Sequence, residues 1–154
     1  GAIQSGTTRK IVIPAGAPAC YFVELSCPRT YTIKSVSAMA GGILSTEQSP
    51  LTLNGGGESS FYFYILPDAR SFEITGRDGG PSETARIDIL DAAGKVVFTR
   101  DGNWNGTWYT VPVLPGADNT IWQIKVRPVE DIKVQVRGGI SPCMSISKQS
   151  VLKR

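Results

Sequence analysis

Histidine is absent from this 154-residue sequence, and only three cysteines occur. Zinc sites are built mainly from histidine and cysteine side chains at short, regular spacings. Cys20, Cys27 and Cys143 do not have such a spacing. Without histidine there is also no Ser/His or Cys/His pair for nucleophilic catalysis. The sequence therefore excludes a zinc site of the usual kind and histidine-based catalysis.

Long apolar runs and clustered charge are also missing. No stretch of about 18 apolar residues, the length that a membrane helix needs, occurs in the sequence, and Gly1–Gly6 does not read as a signal peptide. The formal net charge is only +3, and the basic residues are scattered along the chain. We therefore expect no membrane span and no nucleic-acid partner.

The chain does contain many short segments rich in Val, Ile, Thr and aromatic residues, separated by Gly, Pro, Asn or Asp. This pattern is typical of antiparallel strands. The clearest predicted strands are Phe72–Thr75, Ala85–Leu90, Lys95–Thr99, Thr107–Val113, Thr120–Arg127 and Asp131–Arg137. With 17 glycines and 10 prolines available for turns, the sequence predicts an all-β fold, an antiparallel β-sandwich. Residues 1–154 are expected to form a single domain with a flexible leader at residues 1–8.

The first 60 residues are harder to interpret. Three short strands are predicted there: Arg9–Pro14, Cys20–Leu25 and Thr30–Ser37. A long surface connection, Ala38–Gly57, follows them, within which Leu51–Leu53 could pair briefly. Cys20 and Cys27 could form a disulfide, or the cysteines could be small buried thiols. The sequence assigns no function to this segment.

Alternation along each strand predicts which side chains face the core, because successive side chains point to opposite faces. In the strand that begins at Thr120, the inward set includes Trp122, which is therefore predicted to be a core residue. In Thr107–Val113 the inward set includes Tyr109 and Val111. This phase turns Trp108 outward, where a tryptophan requires an explanation.

The segment Phe61–Leu66 carries aromatic residues on both faces. Its phenylalanines share one face with Ile65, and Tyr62 and Tyr64 share the other. On an outer face the two tyrosines would form a flat strip suited to a sugar ring. The alternative is that another strand or the Ala38–Gly57 segment covers them, because aromatic side chains are mostly buried.

The loop Arg100–Trp108 is the most ligand-like stretch of the sequence. It contains Trp104 and Trp108 among short polar residues. Sugar rings combine apolar C–H faces with hydroxyl groups, so a saccharide site needs flat aromatic platforms beside hydrogen-bonding side chains. The polar candidates in this loop are Asp101, Asn103 and Asn105. The alternative is that one or both tryptophans cap the open end of the sandwich.

Metal binding and catalysis have less support. We predict no cofactor, with a structural calcium ion as the alternative, because oxygen ligands in turns could meet at one end of the fold. The residues concerned are Asp101, Asn103, Asp118, Asn119 and Asp131. A glycosidase needs two carboxyl groups across a cleft, and the strand residues Glu73 and Asp88 are better interpreted as outward structural charges. A small polysaccharide-degrading enzyme is therefore the least favoured alternative.

Several segments from Phe61 onward carry a resemblance to a known class of domains. They are Phe61–Phe72, an aromatic strand with a P-x-x-x-x-F link; Ile87–Lys95, a D-x-x-G-K hairpin; Val111–Trp122; and the tail Gly138–Leu152. In these segments the chain resembles a jelly-roll-like accessory domain, similar to a carbohydrate-binding module, of bacterial glycoside-hydrolase-type proteins. Residues 1–60 are not part of the resemblance.

The resemblance implies a non-catalytic, secreted or cell-surface domain. Such a domain would either bind a polysaccharide or oligosaccharide, or brace a catalytic domain of the same parent protein without binding sugar. It implies no catalytic residue. Together with the loop, it predicts a carbohydrate-binding module in which Trp104 and Trp108 are the first platforms, supported by the polar candidates above. Tyr62 and Tyr64 form the second-choice surface.

Overall fold

The structure, a computed structural model, describes residues 42–78 and 84–153. Its strands are β1 (Ile43–Leu44), β2 (Leu51–Leu53), β3 (Ser59–Tyr64), β4 (Ser71–Asp78), β5 (Ala85–Leu90), β6 (Val96–Arg100), β7 (Tyr109–Pro112), β8 (Ile121–Pro128), β9 (Ile132–Gly138) and β10 (Cys143–Met144). A short 3-10 turn follows at Lys148–Ser150. The predicted N-terminal strands, the Cys20–Cys27 disulfide and the flexible leader lie outside the described residues. Within the described ranges, no helix has the length and apolar character needed to cross a bilayer.

Eight of the described strands form two four-stranded antiparallel sheets, with orders β2-β9-β4-β7 and β3-β8-β5-β6. Successive strands alternate between the sheets, except that β5 and β6 pair directly as a hairpin. Two interlocked four-stranded Greek keys of this kind make a jelly roll. The prediction of an all-β, jelly-roll-like antiparallel sandwich is therefore confirmed.

The core lies between the two sheets and follows the alternation in the sequence. Trp122, Ile124 and Val126 on β8 are all buried, while the residues between them are more exposed. Phe72 packs edge to face against Phe63 and Trp122, with ring centres 5.7 and 6.0 Å apart. Each of these large apolar side chains stabilises the fold by about 1.5–3 kcal/mol through its removal from water.

The outer edge of β3 is covered by the C-terminal tail. The Tyr62 N–H donates to the Ser145 carbonyl at 2.7 Å, and the Ser145 N–H donates to the Tyr62 carbonyl at 2.8 Å. Ile65 and Ile140 form a second bridge. These bonds satisfy backbone groups that an uncovered edge strand would leave available for unwanted pairing.

The opposite side of the sandwich is formed by β6 and β7, which are the last strands of the two sheets. Residues 101–108 connect them, so the connection crosses from one sheet to the other. The rings of Phe98 on β6 and Tyr109 on β7 meet across this gap, with centres 6.2 Å apart. The β6–β7 side is where the predicted ligand loop lies.

Candidate functional site

Trp104, predicted to be an exposed sugar platform, is completely buried. Its Nε1–H donates to the carbonyl of Ala85 at 2.8 Å, and its ring meets that of Tyr109 edge-on at 5.4 Å. An indole with its single N–H satisfied gains from burying the rest of its surface. The prediction that Trp104 is a platform is therefore wrong. Its burial agrees with the alternative interpretation, in which the tryptophan has a structural role and contacts no ligand.

The asparagines of the loop shape the backbone. The Asn105 N–H donates to Oδ1 of Asn103 at 3.0 Å, and the Thr107 hydroxyl donates to Oδ1 of Asn105 at 2.9 Å. The loop is tied to β4 where the Gly106 N–H donates to the Gly76 carbonyl at 2.9 Å. These bonds resemble the local turns that asparagine commonly makes. Asn103 and Asn105 thus hold the loop in its conformation.

Trp108 is half-buried and lies beside Arg137 on the outer face of the β2-β9-β4-β7 sheet. The guanidinium carbon of Arg137 is 4.0 Å from the centre of the indole ring, and Arg137 also pairs with Glu73 at 2.7 Å. Stacking with a cation explains an outward tryptophan without any ligand. Because Arg137 occupies one ring face, Trp108 is a poorer platform than the sequence suggested.

The two tyrosines of β3 do not form an open strip. Tyr64 is only 5% exposed, and its hydroxyl donates to Oδ1 of Asn119. Tyr62 is half-buried, and its hydroxyl lies 3.5 Å from Nε2 of Gln123, which donates to it. The prediction that Tyr64 contacts a ligand is wrong, and burial, the alternative interpretation, applies to it.

A shallow groove of about 320 Å³ opens on the β6–β7 side. The residues that line it are Phe98, Thr99, Arg100, Asp101 and Tyr109. We call this the β6–β7 groove. Of the residues predicted to form a site, Asp101 is the one that lines it. The groove combines two half-buried aromatic rings with charged and hydroxyl side chains.

Sequence reasoning missed the aromatic residues of the groove. Alternation assigns Tyr109 on β7 to the core. It also turns Phe98 on β6 toward the core, from the opposite sheet. Both face inward on terminal strands, however, and no further strand of the described sheets covers them on that side. The available signal was the strand order: inward aromatic residues on the last strand of each sheet remain partly open to solvent.

Arg100 lines the groove and stacks against aromatic rings. Its guanidinium carbon lies 4.5 Å from the centre of the Tyr109 ring and 5.5 Å from that of Trp104. Its Nη2 donates to the carbonyl of Asn103 at 2.9 Å. Its Nε is buried and has no hydrogen-bond partner among the described residues. The cation is thus fixed in position by stacking and by one backbone bond.

Asp88 lies behind the groove wall, on the outer face of the β3-β8-β5-β6 sheet, and is 5% exposed. It accepts hydrogen bonds from the Thr99 hydroxyl and from Nε of Arg86. Nη1 of Arg127 lies 3.6 Å from Oδ2 of Asp88. Burial by itself would raise the pKa of Asp88. The hydrogen bonds from Thr99 and Arg86, with the charges of Arg86 and Arg127, outweigh that effect and leave the pKa lowered. Asp88 is therefore a structural anion that fixes Thr99 at the groove.

Replacing Asp88 by asparagine is expected to lower the free energy of unfolding near neutral pH by about 1 kcal/mol, because charge-assisted hydrogen bonds are lost. The lowered pKa means that the stabilisation by Asp88 is fully present above the unfolded-state pKa of about 3.9 and is lost as the pH falls through the folded-state pKa. In urea denaturation, wild-type stability should therefore fall more steeply than that of D88N below about pH 4. Parallel pH profiles would contradict this role.

The topology does not bring the five residues considered for calcium together. The loop with Asp101 and Asn103 precedes β7, and Asp118 follows it, so they lie at opposite ends of that strand. The eight residues of β8 separate Asn119 from Asp131 by about 25 Å. The five oxygen ligands considered for the calcium alternative therefore do not converge on one site. Within residues 42–78 and 84–153, no group of three or more acidic, histidine or cysteine side chains is placed to hold a metal ion.

Comparisons with known proteins add little. No protein-family model and no curated protein matches this sequence. Among solved structures, the chain is similar to one from accessory secretory protein 1, 2 and 3 of Streptococcus pneumoniae. That likeness has 10% sequence identity and a TM-score of 0.34, and it covers 64% of this chain and 86% of the other. A likeness of this TM-score supports no conclusion about function.

Proposed function

We propose that this jelly-roll domain is a non-catalytic module that binds carbohydrate in the β6–β7 groove. The observation that carries the proposal is the lining of the groove. Half-buried rings of Phe98 and Tyr109 lie beside Arg100, Asp101 and Thr99. Most other inward aromatic residues of the described sandwich are buried in its core.

The chemistry of this lining suits a saccharide. Exposed parts of the aromatic rings can contact the apolar C–H faces of a sugar, and the charged side chains can exchange hydrogen bonds with its hydroxyl groups. A shallow groove that contacts few sugar units should bind weakly, with dissociation constants from micromolar to millimolar, or about −4 to −8 kcal/mol. The resemblance implies a secreted or cell-surface location and a parent protein that carries a catalytic domain. The proposal includes both.

The ion pairing of the carboxylates favours a binding function over a catalytic one. Glu58, Glu73 and Asp88 each form ion pairs with arginine at 3.0 Å or less, as expected for structural charges. Of the described residues that line the groove, Asp101 is the one carboxylate. A glycosidase of the usual kind requires a second carboxyl group about 5–10 Å away across a cleft.

The test is affinity electrophoresis and calorimetry against a panel of soluble polysaccharides with three variants. Tyr109→Leu removes the flat ring but keeps an apolar side chain, and Asp101→Ala removes an exposed acceptor. Each is expected to weaken binding about tenfold, which corresponds to about 1.4 kcal/mol. Trp108→Ala is the matched control, since it removes a neighbouring aromatic residue that does not line the groove.

Circular dichroism and thermal unfolding must first show that each variant is folded. Binding that is lost only in Trp108→Ala would move the site to the outer face of the β2-β9-β4-β7 sheet. A wild-type protein that binds no glycan of the panel would overturn the proposed function.

A further inference from the structure

Arg100 is a cation without an acidic partner in the described structure. The ion pairs between described residues use other basic side chains: Arg86, Lys125, Arg127 and Arg137. Arg100 instead lies in the groove against Tyr109 and Trp104. Arg100 is therefore a half-buried cation that lines the groove and forms no ion pair with a described residue.

The guanidinium is also incompletely hydrogen-bonded. Nη2 donates to the carbonyl of Asn103, while Nε is buried and has no partner among the described residues. Partial burial of a charged donor costs free energy unless a partner compensates for the lost water. Because Nε is buried, a ligand in the groove can meet only the Nη N–H groups, and carboxylates are their natural partners, since two N–H groups of the planar fork match two carboxylate oxygens.

Asp101, the carboxylate that lines the groove, does not serve as that partner. The strand register pairs Ile87 with Arg100, so its continuation places Asp101 opposite Arg86. The pKa of Arg86 is raised, mainly by its hydrogen bond to Asp88 and in smaller part by the charge of Asp101. Asp101 thus lies beside Arg86 across the strand pair, and the ion pairs between described residues include none between Asp101 and Arg100.

We infer that the β6–β7 groove takes an acidic saccharide, with the carboxylate of a uronic acid unit on the guanidinium of Arg100. This inference rests on the proposed function and specifies its ligand class. Stacking on Tyr109 and the bond to Asn103 hold Arg100 in place before the ligand arrives, so little side-chain entropy is lost on binding. The exposed edge of Phe98 provides an apolar contact for the sugar ring.

The first experiment uses the wild-type protein. Polygalacturonate, alginate and hyaluronate are each compared by calorimetry with their carboxyl-reduced forms, and neutral glucans, xylans and mannans complete the panel. At least one acidic polymer is expected to bind about tenfold more tightly than its reduced form. Binding to the acidic polymer should weaken as salt rises, since a charge pair is screened.

The second experiment uses Arg100→Gln and Arg100→Lys. The glutamine variant is expected to bind the acidic and reduced polymers equally, and the lysine variant should recover part of the difference, because it keeps the charge without the fork. Arg70→Gln is the matched control. Arg70 is exposed, forms no ion pair with a described residue, and does not line the groove, so its loss should change affinity less than twofold.

The outcomes separate the two proposals. Equal wild-type binding to acidic and reduced forms, or an equal loss in Arg70→Gln and Arg100→Gln, overturns the acidic ligand while the carbohydrate-binding function stands. Binding to no polymer at all overturns both. If Arg100→Gln does not fold, the comparison of acidic and reduced polymers with wild-type protein still decides the question.

Discussion

Trp104→Ala is expected to lower the free energy of unfolding by about 3–5 kcal/mol, the range for truncating a large buried aromatic residue. The side chain is completely buried, and it packs against Tyr109 and near Phe98. Its loss would leave a cavity at the open side of the sandwich and an unpaired carbonyl at Ala85. Urea denaturation monitored by circular dichroism measures the change.

Two variants give this prediction its controls. Trp104→Phe keeps much of the volume and loses the Nε1–H bond, so it should cost clearly less than alanine. Trp108→Ala removes a half-buried ring that stacks on Arg137 at the surface, and it should cost about 1 kcal/mol or less. If Trp104→Ala costs no more than Trp108→Ala, Trp104 is not a core residue.

The large stability cost expected for Trp104→Ala also affects how binding data for this variant should be interpreted. Trp104→Ala would reduce carbohydrate binding simply because it loosens the loop and the groove wall, even though the indole contacts no ligand. Asp101→Ala changes an exposed side chain and is therefore the cleaner probe of the groove. If Trp104→Ala is the only variant that loses binding, the loss is not evidence that the indole ring contacts a sugar.

The strands and most of the core could be predicted from the sequence because alternation is a local signal. Trp122 and Val111 are buried as their phase predicts, and Trp108 faces away from the core as predicted. Glu73 and Asp88 are outward charges in ion pairs, as expected. Each of these assignments needs only the residues of one strand and the rule that neighbours point in opposite directions.

The groove could not be predicted because it depends on contacts between distant parts of the chain. Trp104 lies in a loop without periodicity, and its position is set by Ala85 and Gly76 on other strands. Tyr64 shares an outward phase with Tyr62, but Asn119 and the tail cover that edge of β3. A local pattern indicates which face a residue occupies and does not indicate what covers that face.

Gly76→Ala is expected to lower the free energy of unfolding by about 2–3 kcal/mol, a typical cost of forcing an extra carbon into a packed core. A Cβ at this position would lie 2.9 Å from Cβ and Cγ of Trp104 and from Cδ1 of Ile132. Trp104 Cβ cannot rotate away, because the loop backbone is held by the bond from Gly106 to Gly76. The glycine thus provides the space in which the loop packs on β4.

A double-mutant cycle tests this explanation. In the Trp104→Ala background, the Cγ contact is gone and the cavity offers room, so Gly76→Ala should cost at least about 1 kcal/mol less than in the wild type. Additive costs, with a coupling below about 0.5 kcal/mol, would show that Gly76 and Trp104 do not share a packing constraint. Strong coupling would mean that the glycine in β4 and the tryptophan in the loop together position the wall of the groove, although neither lines it.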